Sequence, residues 1–266
     1  MRIFIITMED PVYTLPFIKE IIDRKREKIV GVALASGGRL KVGKKRSRIT
    51  YILTLLLIMG VRPFLRYSRI TAGYKFKSLL SRWLPFLPNP SILVYAGNKG
   101  IPIFKIQSPN DRKFLDELKR IQPDVIVHQS QNILKKRLLS IPSIGVINRH
   151  NALLPRNRGR LTPFWVLYRS EQETGVSIHF VEPTLDSGPI IVQKRFPVVS
   201  GEIFASLVEK NYFAAKEAIL EALDKLETGE YDLIPNENEK ATYNEAPRFK
   251  DAWRYRMNRI WKRRNT

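Results

Sequence analysis

Short runs of β-branched and other apolar residues, set apart by stretches of helical spacing, constrain the fold of this chain more than any other feature. Ile3 to Thr7 reads as a first strand, Pro16 to Arg26 as a helix and Ile29 to Ala35 as a second strand. Ile101 to Ile106, Asp124 to His128 and Ile144 to Asn148 read as the third, fourth and fifth. Before the fourth, Phe114, Leu115, Leu118 and Ile121 recur at the spacing of one helix face within Asp111 to Ile121. Strands that alternate with helices predict an α/β fold, with a mostly parallel sheet and helices on both faces. Ligands of such sheets bind beyond the carboxyl ends of the strands, and Asn148 falls at one of these ends. A long helix is expected over about residues 203–226, then polar turns and a basic tail from Gly229. The 266 residues suffice for one large domain over 1–200, with a basic helical insertion at about 36–90, and a small C-terminal appendage over 201–266.

Asn148-Arg149-His150 closes the fifth strand, and Asp186 lies 36 residues beyond His150, in the turn Leu185-Asp186-Ser187-Gly188-Pro189. An Asn amide donates a hydrogen bond to a developing oxyanion. An imidazole shares that task or moves a proton, and a carboxylate sets the ionisation of the imidazole or orders a water beside it. The three residue types suit attack on a carbonyl with no covalent nucleophile from the protein. The absence of cysteine excludes thiol chemistry, disulfides and thiolate metal sites. The three histidines, His128, His150 and His179, lack metal-ligand spacing, and no metal is expected. His179, in mid-strand, is read as structural. His128 is open between a pocket residue and a strand end. Asp186 taken alone is an ordinary turn residue.

The neighbours of the triplet follow in a defined order. Asn151-Ala152-Leu153-Leu154-Pro155 precedes Arg158-Gly159 in a basic loop, and Pro163 to Tyr168 begins a helix. Glu173 to His179 supplies Glu-x-Gly-x-Ser-x-His, and Leu185 to Pro189 supplies Leu-Asp-x-Gly-Pro. This order, over roughly residues 122–198, resembles the formyltransferases that use 10-formyltetrahydrofolate. The resemblance implies a Rossmann-like fold and catalytic roles for Asn148, His150 and Asp186. It also implies that Val181, Glu182, Pro183, Thr184 and Leu185 hold the folate pteridine through their backbone, with Gln131, Asn132, Ile133 and Leu134 as the opposite wall. Family members usually carry a glycine where this chain has His128-Gln129-Ser130, and the chain is one residue shorter there.

Charge is the second unusual feature. The formal net charge is +21, and no Asp or Glu occurs between Lys28 and Asn110. That stretch mixes Arg39, Lys41, Lys44, Lys45 and Arg46, and later Arg62 to Arg82, with apolar segments such as Tyr51 to Met59 and Trp83 to Leu87. The tail repeats the mixture, with Arg254 to Arg264 beside Trp253 and Trp261. Segment 51–61 is too short to span a bilayer, which takes ~20 residues. It reads either as a buried helix of the domain or as part of a surface for anionic membrane, over residues 39–87 and 254–264. Nucleic acid is the less favoured partner of the same residues. Met1 to Thr7 reads as a strand and not a secretory signal, so a cytoplasmic protein is expected, peripheral at the inner membrane face if the membrane reading holds.

Within the resemblance the acceptor is an amine, and three kinds are open. Glycinamide ribonucleotide is disfavoured, because the loop Met8 to Thr14 has two acids and no glycine and makes a poor phosphate cradle. Methionyl-tRNA suits the charge, but its formyltransferases have a C-terminal RNA-binding domain of about a hundred residues, and 68 residues follow Val198 here. An amino sugar, nucleotide-linked or lipid-linked, comes first, supported by Thr242-Tyr243-Asn244-Glu245-Ala246-Pro247, which resembles a tail motif of sugar formyltransferases. A non-catalytic membrane- or RNA-binding protein on the same fold is the alternative from another class.

Overall fold

Ile3–Thr7 is apolar or β-branched throughout, and all five residues are buried. Such a run suits a strand covered on both faces. In the computed structural model, which describes residues 1–36, 48–84 and 86–264, it forms β1. Then come α1 (Thr14–Lys25), β2 (Ile29–Ala35), α2 (Arg48–Met59), α3 (Val61–Trp83), α4 (Ile92–Asn98), β3 (Ile103–Ile106), α5 (Arg112–Ile121) and β4 (Val125–Gln129). They are followed by α6 (Lys136–Leu139), β5 (Gly145–His150), the short β6 (Arg158–Gly159) and α7 (Thr162–Tyr168). The last elements are β7 (Glu173–Phe180), β8 (Ile190–Pro197), α8 (Phe204–Thr228), β9 (Tyr243–Asn244) and α9 (Phe249–Arg264).

Seven strands form one sheet in the order β3-β2-β1-β4-β5-β7-β8. The first five are parallel, β7 runs antiparallel to β5, and β8 runs antiparallel to β7. Alternation splits each strand between two cores. Ile3, Ile5, Val127 and Ile147 face α1 and α8, whereas Phe4, Ile6, Ile126 and Val146 face Phe114, Leu115 and Leu118 of α5. The α5 stripe is the one its sequence spacing predicts. The third strand starts at Ile103, two residues later than expected, after Pro102, which has no N–H to give. The strand order reverses between β1 and β4, which opens a crevice at their carboxyl ends.

Two elements differ from the sequence reading. Of segment 51–61, residues up to Met59 lie in α2 and Val61 opens α3; α2 is neither a wholly buried helix nor a free one, since Thr54, Ile58 and Met59 are buried while Ile49, Ile52 and Leu53 are exposed. The basic tail is itself a helix, α9, and it packs on α2 through Ala252 and Tyr255, which join Ile58, Met59, Phe164 and Phe204 in a third core. Arg256 donates to the carbonyls of Leu57 and Ile58 at 2.8 and 3.3 Å. These belong to the last turn of α2, where the backbone leaves acceptors unpaired and the helix dipole favours a cation. Arg39, Lys41, Lys44, Lys45 and Arg46 lie outside the described residues.

Candidate active site

β5 delivers Asn148 and His150 to one face of the sheet, because residues two apart in a strand point the same way, about 6.6 Å along the chain. The intervening Arg149 goes to the other face. Its guanidinium lies over the rings of Tyr212 (4.0 Å) and Phe17 (4.9 Å) and donates to the Tyr212 hydroxyl at 2.9 Å. Arg149 Nε also donates to Gln129 Oε1 at 3.0 Å, and Gln129 Nε2 donates to Asn148 Oδ1 at 3.0 Å. This chain of bonds orients the Asn148 amide. With its oxygen occupied by Gln129, the Nδ2 group is left to donate elsewhere.

Asp186 reaches the same place from the β7–β8 turn. Its backbone is left-handed, with φ 49°, a conformation that Asp tolerates better than most residues. Its side chain is nearly buried, with Oδ2 3.5 Å from His150 Nδ1 and Oδ1 3.8 Å from His179 Nε2. Oδ2 also accepts from the Gly159 N–H at 2.9 Å. Gly159 has φ +104°, and a Cβ there would meet the Asn244 carbonyl at 2.2 Å, so only glycine brings this N–H to the carboxylate. A Cβ on Gly188, two residues past Asp186, would meet the Phe180 carbonyl at 2.1 Å. The glycines of the Arg-Gly and Leu-Asp-x-Gly-Pro motifs therefore serve close approach of the backbone.

His150 differs from the simple sequence picture. Its Nε2 donates to the Asn157 carbonyl at 2.7 Å, so both ring nitrogens already face protein atoms. Engagement of a substrate oxygen exchanges the Asn157 bond for a new one. His179, read from sequence as structural, lies opposite Asn148 in the β5–β7 register and faces Asp186. Its Nδ1 donates to the Phe180 carbonyl at 2.7 Å, which leaves Nε2 buried with no hydrogen-bond partner among the described residues. His128 is buried and bonds Ser130 Oγ through Nε2 at 2.8 Å.

Burial pushes both His128 and His179 down to about 4. Unfolded imidazoles take up protons near 6.5, while these two stay neutral in the fold, so the unfolded chain binds more protons between about 6.5 and 4. Stability is expected to fall as pH drops through that window, by up to ~1.4 kcal/mol per pH unit for each histidine. Urea midpoints at pH 7 and 4.5 check this. His128→Asn should flatten the dependence, and an unchanged slope would remove His128 from the account.

Arg158 is fully buried, a placement its position in a basic loop does not suggest. It donates to Asn238 Oδ1 (2.7 Å), the Tyr243 hydroxyl (2.8 Å), the Asn236 carbonyl (2.9 Å) and Asn236 Oδ1 (2.7 Å). Asn236 in turn donates from Nδ2 to the carbonyls of Asp186 (2.9 Å) and Gly188 (2.8 Å). The Thr242–Pro247 segment joins the same assembly. β9 pairs with β6 in the register Arg158↔Tyr243 and Gly159↔Asn244, and Thr242 Oγ1 accepts from the Asn157 N–H at 2.8 Å.

The expected folate walls are less uniform than the motif reading suggests. Glu182, Pro183, Thr184 and Leu185 form an exposed loop, while the N–H of Val181 is bound to the Val146 carbonyl at 2.7 Å. On the other wall Gln131 is half-buried and Ile133 exposed, but Leu134 packs into the α5 core and offers a ligand no side chain. Asn132 Nδ2 is a buried donor with no partner among the described residues, an atom that a polar ring bound between the two walls would satisfy. Among the described residues no cluster of His, Cys, Asp or Glu is arranged to hold a metal ion.

A family model described as formyl transferase matches residues 87–223, just over half of the chain. The methionyl-tRNA formyltransferase of Kosmotoga olearia is 34% identical over 164 residues, 61% of this chain and 52% of that protein. Its counterpart in Thermotoga maritima is 36% identical over 164 residues, 61% and 51% of the two chains. The chain thus spans about half the length of the curated relatives it matches. Among solved structures, an N-formyltransferase from Helicobacter canadensis, in complex with folinic acid and dTDP-3-aminofucose, superposes with a TM-score of 0.61 at 14% identity, covering 98% of this chain and 81% of that one. Glycinamide ribonucleotide transformylase 1 from Symbiobacterium toebii gives 0.60 at 15% identity, over 88% and 94%. At these identities the likeness is one of fold.

Proposed function

The chain belongs to the formyl transferase family, and from that premise we propose that it moves a formyl group from 10-formyltetrahydrofolate to a primary amine. The observation that carries this reading is Asp186 set between two imidazoles at the mouth of β5, with the Asn148 amide held donor-outward by Gln129. The folate, when bound, supplies the activated formyl carbonyl. Asn132 Nδ2 and the backbone of Val181 to Leu185 are the groups that hold it. Asn148 Nδ2 donates to the formyl oxygen as charge collects there, joined by His150 Nε2 once it leaves the Asn157 carbonyl. Asp186 faces the opposite nitrogen of His150 and holds the ring in orientation. A water beside Asp186 relays the proton released by the amine to the folate nitrogen as the bond from that nitrogen to the formyl carbon breaks, which frees tetrahydrofolate.

For the acceptor we favour an amino sugar, nucleotide-linked or lipid-linked. The segment that resembles a sugar formyltransferase tail, Thr242 to Pro247, borders the site through the β6–β9 pair. Glycinamide ribonucleotide fits poorly. In the β1–α1 loop the Asp10 carboxylate already accepts from the N–H groups of Val12 (3.0 Å) and Thr14 (3.4 Å), where a phosphate would have to bind. Methionyl-tRNA is the second reading, favoured by the curated relatives. Tetrahydrofolate release from 10-formyltetrahydrofolate, measured with nucleotide-linked 3-amino and 4-amino sugars, glycinamide ribonucleotide and methionyl-tRNA, tests all three. Release only with an amino sugar is the expected result. Release with none of the amines overturns the enzymatic reading in favour of a non-catalytic protein.

A further inference from the structure

α3 presents its amphipathic pattern to solvent the wrong way round. Tyr67 and Tyr74, seven residues apart, turn inward, toward the Tyr13 ring and the Glu9 carboxylate. No residue of the helix is fully buried. On the opposite side Leu65, Ala72, Phe76, Leu79 and Trp83 recur at helical spacing and are exposed, Phe76 by 63% and Trp83 by 79%. Arg62, Arg69, Lys75, Lys77 and Arg82 flank this stripe on both sides, and all five are exposed. Among the described residues only Arg66, of the basic residues of α3, pairs with a carboxylate, that of Glu209. The apolar run continues past the helix to Phe86, exposed by 79%. Trp253 and Trp261 are exposed on α9, which packs on α2.

We infer that the outward face of α3, with Phe86, is a docking surface for an anionic lipid bilayer. An apolar stripe bordered by cations on both edges matches a headgroup layer, where the stripe enters the acyl boundary and the cations meet lipid phosphates. The inward tyrosines hold the helix to the domain, so the outward residues are free to meet another surface without giving up contacts among the described residues. The aliphatic residues decide between lipid and nucleic acid. Phosphates need the cations and bases stack on aromatic rings, but Leu65 and Leu79 contribute to neither and would remain in water on an RNA. No helix among the described residues is long and apolar enough to cross a membrane, so the contact is interfacial. This inference does not depend on the reaction proposed above.

Co-sedimentation of the full chain with vesicles tests it. Binding is expected to phosphatidylglycerol/phosphatidylcholine vesicles, weakened by salt, and not to phosphatidylcholine alone. The triple variant Phe76→Ser, Leu79→Ser, Trp83→Ser should lose most of its binding at physiological ionic strength, where the cations alone are screened, with an unchanged circular dichroism spectrum. A second variant, Arg62→Gln, Arg69→Gln, Lys77→Gln, keeps the stripe and should bind about a hundredfold more weakly at low salt. Absence of pelleting at low ionic strength, equal pelleting with neutral vesicles, or full binding by the serine variant overturns the inference. So does an RNA oligomer bound equally by wild type and serine variant while vesicles pellet neither.

Discussion

An Asn148→Ala chain is expected to transfer formyl groups about 10²–10³ times more slowly than wild type, the usual cost of one lost oxyanion donor. His150→Ala should lose a similar factor, about 10²–10³, because it removes the second donor to the same oxygen. Asp186 allows a sharper test. Asp186→Asn keeps an oxygen to accept the Gly159 N–H, which lies 2.9 Å away, yet it removes the charge that faces His150 and His179. A fall in kcat of at least about a hundredfold at an unchanged melting temperature is expected for that variant. An equal fall in melting temperature would make Asp186 a loop anchor, and near-wild-type turnover in His150→Ala would refute the catalytic assignment. Folate affinity, measured by fluorescence titration, should change little in all three, since the proposed folate groups are other residues.

Arg158→Ala is expected to be the most destabilising single change in the site region. Arg158 is a fully buried cation whose donors satisfy Asn236, Asn238 and Tyr243. Truncation opens a cavity and leaves the half-buried Asn236 oxygens without their donor, while Asn238 and Tyr243, both exposed, can turn to water. At ~1–3 kcal/mol for the half-buried Asn236 acceptors left without a donor, the loss is about 2 kcal/mol, and the melting temperature should fall by about 5 °C. Lysine should rescue little, because a single ammonium cannot reproduce the planar fork that spans three residues. The effect should reach the active site as well: Asn236 ties the Asp186 and Gly188 carbonyls to Arg158, so kcat should drop even below the melting transition. Limited proteolysis near residues 230–248 would report release of that segment. An Arg158→Ala protein with wild-type stability and protease resistance would contradict this account.

Local chemistry, read along the chain, determined much of this protein. Ile3–Thr7 can hardly be anything but a buried strand, the α5 stripe repeats at helical spacing, and Asn148 and His150 share a face because strand residues two apart always do. Contacts between residues close in sequence need no knowledge of how the chain returns on itself. Only the tertiary structure decided the rest. Gln129 meets Asn148 because β4 pairs with β5, and His179 enters the site because the β5–β7 register sets it opposite Asn148. Arg158 is a buried anchor and not a basic loop residue because a segment some eighty residues later folds over it. The tail becomes α9 by docking on the insertion, where Arg256 caps α2. Each of these depends on strand register or on the meeting of distant segments. One residue of slip would turn every side chain of a strand to the other face, and nothing in a local pattern specifies that alignment.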